Sequence, residues 1–403
     1  MNLFMHISVD FKRRIKSLFI VVLTAGCASL VVTPLRAEDS SFMLGIAGSI
    51  NDPSAAWIAA KGIGAMSVRL DAPWAQIERR KGEYQIPPRL MRAIDDIKSN
   101  GQEPLLILAY GNPLYGGDKP KAREAIEAFA KYSEWLVKAL DGKVRYFQLW
   151  NEWETKVGGT TPGSADDYVS FAKVVVPVIR KASPQVVLLS NGISYPGFKD
   201  GWIERFLQLG GAALFDGIAL HPYVWHVRAD WRPEASIQMV DAIHEKAVAA
   251  GGGAPVNIFI TEIGYPTFEG ELGTSEQSAA WYLTRFVLLS YSRPWIKGIW
   301  WYGIRDQGSD SREKEHRFGV FSHDMQPKPA SFAFRKAAEL VSSDVRGKIE
   351  NVEDLYTYKS TNGLYEVTWK SSKPTLGKLS SFIQRSSDDS SGRPVVIERK
   401  SPK

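Results

Sequence analysis

At 403 residues, with 44% hydrophobic and 23% charged side chains, the chain has the composition of an ordinary globular protein and the length for one large domain or two average ones. Its formal charge of +6 falls to +2, 45 basic against 43 acidic residues, when the first 37 residues are set aside, because these carry Lys12, Arg13, Arg14, Lys16 and Arg36 against Asp10. That balance requires no nucleic acid or other polyanion as partner, and one cysteine, Cys27, excludes an intrachain disulfide framework.

The N-terminal basic segment FKRRIK precedes an apolar run from Leu18 to Val32 and then TPLRA, which predicts a secretory signal peptide over residues 1–37. Export would place the chain in the periplasm or outside the cell. Cys27 lies inside the run, so the mature chain would hold no thiol. Thr-Ala-Gly-Cys is similar to a lipoprotein box, but Thr24 stands where a branched apolar residue is expected. Fifteen apolar residues are short for a bilayer needing about 20, so no stable membrane span is expected in the mature chain.

From Phe42 onward, short apolar runs alternate with amphipathic stretches. The runs are Phe42–Ser49, Met66–Leu70, Pro104–Tyr110, Arg145–Trp150, Val186–Ser190, Phe215–His221, Val256–Glu262 and Gly298–Gly303. Near-continuous apolar character suits strands buried on both faces of a parallel sheet. Patterns such as PRLMRAIDDIKSN and AREAIEAFAKYSEWLVKAL between them read as helices. Eight strands, each followed by a helix, predict an α/β fold, a (β/α)8 TIM barrel over residues 38–345. The rival, a doubly wound open sheet, would carry G-x-G-x-x-G after its first strand, and GIAGSIN lacks it. After the barrel, alternation around Asn362-Gly363 predicts a hairpin. Residues 346–403 are thus expected to form a small β appendage and a loose basic tail.

In this architecture functional residues close the strands. Strand two ends at Arg69 and leads to Asp71 and Trp74. Strand three leads to Asn112, strand four ends at Asn151-Glu152, strand six at His221-Pro-Tyr223, strand seven at Glu262, and strand eight carries Trp300, Trp301 and Tyr302. Two carboxylates facing each other across such a rim are what glycosidic bond cleavage requires. Phosphoryl transfer would want a Gly-Lys-[Ser/Thr] cradle, and zinc hydrolysis a His-Glu-x-x-His helix; the sequence has neither, so no metal or cofactor is expected. Trp74, Trp225, Trp231 and Trp295 read equally well as sugar platforms or as packing.

Asn151-Glu152, Glu262 in IFITEIGYPT and His221-x-Tyr223 between them resemble the clan A retaining glycoside hydrolases, as do VRLDAPWAQIE, GIWWYGIRDQG and FGVFSHDMQPKPA. The resemblance is greatest to family 39, including its bacterial exopolysaccharide endoglycosidases, and looser to family 5. Trp153 stands where Asn-Glu-Pro is usual, and AYGNPLYGG lacks the histidine common in family 5. The resemblance implies Glu152 as general acid/base and Glu262 as nucleophile in retaining hydrolysis of an oligo- or polysaccharide. It further implies Asn151 on the sugar 2-hydroxyl, Trp301 stacked on the sugar, with sequence not deciding which of Trp300 and Trp301 points inward, and pocket or sugar contacts for His221 and Asn112. Indoles beside Glu152 would desolvate it and raise its pKa, while Arg69 and Tyr223 would hold Glu262 ionised. Glu154, two residues beyond Glu152, is expected to be an exposed neighbour whose loss is tolerated. The alternatives are a non-catalytic carbohydrate-binding or exopolysaccharide-assembly barrel and a transglycosylase.

Overall fold

The computed structural model describes residues 42–225, 230–343, 346–363, 365–371 and 393–398. The expected signal peptide with Cys27 lies outside the described residues, as does most of the basic tail. Eight parallel barrel positions follow in chain order: β1 (Met43–Ala47), β2 (Ser67–Pro73), β3 (Glu103–Ala109), β4 (Tyr146–Leu149), β5 (Val187–Leu189), β6 (Ile218–His221), β7 (Ile258–Ile263) and β8 (Ile296–Trp301). The main helices between and after them are α1 (Ser54–Gly62), α2 (Pro88–Ser99), α3 (Arg123–Ala139), α4 (Ala165–Ala182), α5 (Trp202–Gln208), α6 (Pro233–Ala250), α7 (Glu276–Tyr291) and α8 (Pro329–Ser342). This is the predicted TIM barrel. Neighbouring strands pair in sequence and β1 pairs β8. The fifth position is split: β5 pairs β4, whereas Ile193–Ser194 pairs β6, and a Leu189–Gly217 bridge closes the ring between them.

Alternation along each strand separates two cores. Val68, Leu70 and Ala72 of β2 face the helices and belong to the large outer core with Leu90, Ala93, Ile94 and Ile97 of α2, whose spacing is that of one helix face. Leu105, Val187, Leu189, Ala219, Phe259 and Trp300 fill the barrel interior. There the Trp300 indole donates to Ser67 Oγ at 2.9 Å. It lies over Gly45, where a Cβ would come within 2.4 Å of the ring. Helix starts are set by side chains that accept otherwise orphaned amides: Ser164 caps α4 through the Asp167 N–H at 3.1 Å, and Ser275 caps α7 through the Ser278 N–H at 3.1 Å.

After α8 come four antiparallel strands, β9 (Gly347–Val352), β10 (Leu355–Ser360), β11 (Tyr365–Lys370) and β12 (Val395–Glu398). The predicted hairpin at Asn362-Gly363 joins β10 to β11. A second, tight hairpin turns at Glu353 and Asp354, with φ of 51° and 65°, the geometry of a type I′ loop. The tail is not wholly loose: Val395–Glu398 pairs β11. A short Val-Val-Ile run is weak as a sequence signal, and its pairing comes from an open sheet edge. The sheet docks on α6 and α7. Trp369 Nε1 and Ser371 Oγ donate to Glu234 at 2.7 and 2.9 Å, and Glu234 is ion-paired to Arg285, both fully buried.

Candidate active site

The carboxyl ends of the strands bring the expected polar residues together around Arg69. Its Nη1 donates to Glu262 Oε2 at 2.9 Å and its Nη2 to Asn151 Oδ1 at 2.6 Å, while Nη2 also lies 3.5 Å from His221 Nε2. The planar fork thus spans β4, β6 and β7 from β2. Glu262 Oε1 accepts from the Tyr223 hydroxyl at 3.0 Å, so each of its oxygens has one donor. The register between β7 and β8 shifts between Ile260 and Ile263. That irregularity lets Thr261 and Glu262, adjacent in sequence, both reach the pocket.

His221 is completely buried, and burial pushes its pKa down to about 3, so the ring is neutral near pH 7. Its Nε2 faces Thr261 Oγ1 at 3.0 Å and Arg69, and its Nδ1 faces Glu152 Oε1 at 2.9 Å. Arg69 can only donate, so Nε2 is the acceptor and Nδ1 carries the proton that Glu152 Oε1 receives. Gly192 makes this ring position possible, since a Cβ there would come within 2.3 Å of Nε2.

Glu152 stands where alternation breaks. Gln148 points into the barrel and donates to the Trp150 carbonyl at 2.8 Å. Trp150 and Glu152 then adopt positive φ, 75° and 47°. Trp150 turns outward to pack on Trp153, Phe171 and Phe129, and Glu152 turns in. A non-glycine residue holds the left-handed region only when its surroundings fix it there. Burial raises the Glu152 pKa to about 7, against the opposing charge of Arg69. One Glu152 oxygen lies within 4.8 Å of a Glu262 oxygen and of His221 Nδ1. The three groups are near enough to share a cation, but the Arg69 guanidinium already neutralises Glu262 and would repel one.

No family model matches the sequence. A 123-residue stretch, 29% of this chain, is 30% identical to a glucan endo-1,3-beta-glucosidase of Pisum sativum, and it spans a third of that curated relative's length (33%). Solved structures match far more of the chain. A family 39 glycoside hydrolase from the gut symbiont Bacteroides cellulosilyticus WH2 superimposes with a TM-score of 0.68 at 22% identity, over 83% of this chain and 72% of that one. The fold is that of the clan A glycoside hydrolases. GH5_18 from Streptomyces cattleya, in complex with GlcNAc, follows with a TM-score of 0.58 at 16% identity, over 75% and 82% of the two chains. Xylanase 10B from Thermotoga maritima has a TM-score of 0.55 at 15% identity, over 77% of this chain and all (100%) of that one.

On this barrel three expectations are corrected. Glu154 is buried: its Oε1 accepts from Ser194 N at 2.6 Å and Ser194 Oγ at 2.8 Å, and its Oε2 from Asn191 Nδ2 at 2.7 Å. Burial, and then the charge of Glu152, raise its pKa to about 7. Trp301 does not face the pocket; it is 2% exposed and packs toward the helices against Tyr265. Trp300 points inward but lies deep in the barrel, so Tyr302 is the aromatic of this strand that reaches the site. Asn112 is fully engaged as a cap, donating to the Glu78 carbonyl at 2.9 Å and accepting the Leu114 N–H at 3.0 Å. Trp74 and Trp225 are packing residues, hydrogen-bonded to Glu78 and to the Gly264 carbonyl. Thr261 and Asn191 carried no distinguishing sequence signal, whereas Asp71 and Tyr302 were visible as strand-end residues without an assigned role.

Proposed function

We propose that this chain is an exported, retaining β-glycoside hydrolase acting on an oligo- or polysaccharide. The observation that carries the reading is the carboxyl pair Glu152 and Glu262, with oxygens within 4.8 Å, in different environments at the functional rim of a barrel. That approach suits the ~5–5.5 Å carboxyl separation of retaining enzymes better than the ~6.5–9.5 Å of inverting ones. Glu262 Oε2 or Oε1 attacks the anomeric carbon as Glu152 delivers its proton to the departing glycosidic oxygen. Glu152 then takes a proton from water, whose oxygen displaces Glu262 and restores both groups. His221 donates to Glu152 Oε1, which leaves Oε2 to carry the transferable proton. Asn151, fixed by Arg69, is the group to bond the sugar 2-hydroxyl. A GlcNAc complex, a xylanase and a glucan endo-1,3-beta-glucosidase among the similar proteins support a sugar substrate. The basic and apolar N-terminal segment supports export.

The test is incubation with a panel of β-linked glycans, with products read by mass and the first-formed anomer by NMR. Cleavage with retained configuration is expected, falling at least ~10³-fold in Glu262→Gln and in Glu152→Gln. Because Glu152 must start protonated, kcat/KM is expected to fall as pH rises through about 7. Inversion, or turnover unaffected by Glu262→Gln, would refute the mechanism; binding with no cleavage or elongation would favour a non-catalytic carbohydrate-binding barrel.

A further inference from the structure

Asp71 sits two residues beyond Arg69 on β2, and alternation puts both on the pocket side while Leu70 and Ala72 face the helices. At strand spacing its Cα is ~7 Å farther toward the rim than that of Arg69. Among the described residues the Asp71 carboxyl has neither a hydrogen bond nor an ion pair, although it is half-buried. Burial raises its pKa, against Arg69. Two hydroxyls share this rim without a protein partner among the described residues. Tyr110 follows β3 with its ring on Trp150, and Tyr302 follows β8 with its ring on Phe318. Burial raises both phenols, and the charges of Glu262 and Asp71 act on each in the same direction. The polar atoms of all three reach solvent, and a ligand that displaces that water must supply their hydrogen bonds or leave them unpaired.

Among the described residues, the cations that act on Glu152, Arg69 and Lys314, are already engaged. Both Nη atoms of Arg69 are bonded to Glu262 and Asn151, and Lys314, on the Lys314–Arg317 turn, pairs with Glu315 at 3.0 Å. A sugar carboxylate entering here would meet Glu152, Glu262 and Asp71, with Arg69 and Lys314 already paired.

Resting on the glycosidase reading, we propose that Asp71, with the Tyr110 and Tyr302 hydroxyls, recognises adjacent hydroxyls of the sugar in the cleaved subsite and selects neutral sugar units over uronic acids. Asp71 accepts from two neighbouring hydroxyls, and the phenols donate to sugar oxygens. Sites built to bond hydroxyls discriminate strongly, because an analogue lacking them leaves buried groups unpaired.

The test uses the chain carrying Glu152→Gln, which blocks acid catalysis while keeping Arg69 paired, and measures affinity for β-glucan, β-xylan and β-linked oligoglucuronate oligosaccharides of equal length. Binding of a neutral oligosaccharide and roughly 10- to 100-fold weaker binding on adding Asp71→Ala are expected, the worth of one or two charge-assisted hydrogen bonds. Asp71→Asn, which keeps the volume and one acceptor, should lose less, and it serves alone if the alanine variant fails to fold. Oligoglucuronate bound as tightly as the neutral sugars, or neutral binding unchanged within twofold in both Asp71 variants, overturns the proposal. If the unmodified chain still cleaves glycans, the glycosidase reading survives that failure. Neither binding nor cleavage across the panel would overturn both.

Discussion

Glu152 and Glu154 are two residues apart and both have pKa values near 7, yet their surroundings assign them different work. Among the described residues, Glu152 keeps one oxygen free of donors, whereas Glu154 spends both. Asn191, which donates to Glu154, also accepts the Trp153 N–H at 2.8 Å, and Ser194 belongs to the segment paired with β6 beside His221. Glu154 therefore ties the chain just past Glu152 to the fifth strand position and helps hold Glu152 in its left-handed backbone conformation. We expect Glu154→Gln, which sets an amide against the Asn191 amide, to lower kcat by about 10- to 100-fold with a smaller change in KM, as slight misplacement of a catalytic group does. Wild-type kcat in that variant, measured on any glycan the enzyme cleaves, would remove this positioning role. Expecting Glu154 to be an exposed residue assumed that the strand ran straight; two positive-φ residues at its end defeated the assumption.

At the scale of elements, the strands were legible because burial on both faces leaves near-continuous apolar runs, and their order followed from the helices between them. Their ends were harder. The break after β4 and the register shift in β7 displace Glu152 and Glu262 from simple alternation, and neither has a local signature beyond the residues it re-aims. In β8, by contrast, alternation holds, and it moves the pocket aromatic from Trp301 to Tyr302. The appendage depends on a buried ion pair: Arg285 and Glu234 are 1% and 2% exposed, and Glu234 also accepts from Trp369 and Ser371. Removing one partner strands a buried charge. Glu234→Ala should thus destabilise the fold by ~3–5 kcal/mol, read by chemical denaturation. A loss below about 1 kcal/mol would show that the sheet is held by its apolar contacts instead.

For the whole molecule, Glu152 and Glu154 link stability to pH. Their folded-state pKa values near 7 stand above the ordinary 4.5, so the folded state binds their protons more tightly than the unfolded chain. That contribution is fully present below about pH 4.5 and is lost as pH rises through about 7, on the order of 3 kcal/mol for each group. Carboxylates held low by hydrogen bonds, such as Asp118 beside Thr160, act in the opposite sense at lower pH. We expect Tm to fall between pH 5.5 and 7.5, and Glu154→Gln to flatten that slope. An unchanged slope would mean that Glu154 titrates at an ordinary carboxylate pKa.

Fold class, the two catalytic candidates and the Arg69 and Tyr223 partners of Glu262 were present in the sequence itself, because apolar periodicity and strand-end position are one-dimensional properties of a parallel barrel. That Glu154 is buried, which tryptophan faces away, and that Asn112 is spent on a turn were decided only in three dimensions. Those outcomes depend on backbone twist at single residues and on partners far away in the chain, Asn191 and Ser194 for Glu154 and Glu78 for Asn112. Spacing along the sequence carries no record of such contacts, since their stabilisation arises only when the barrel has closed.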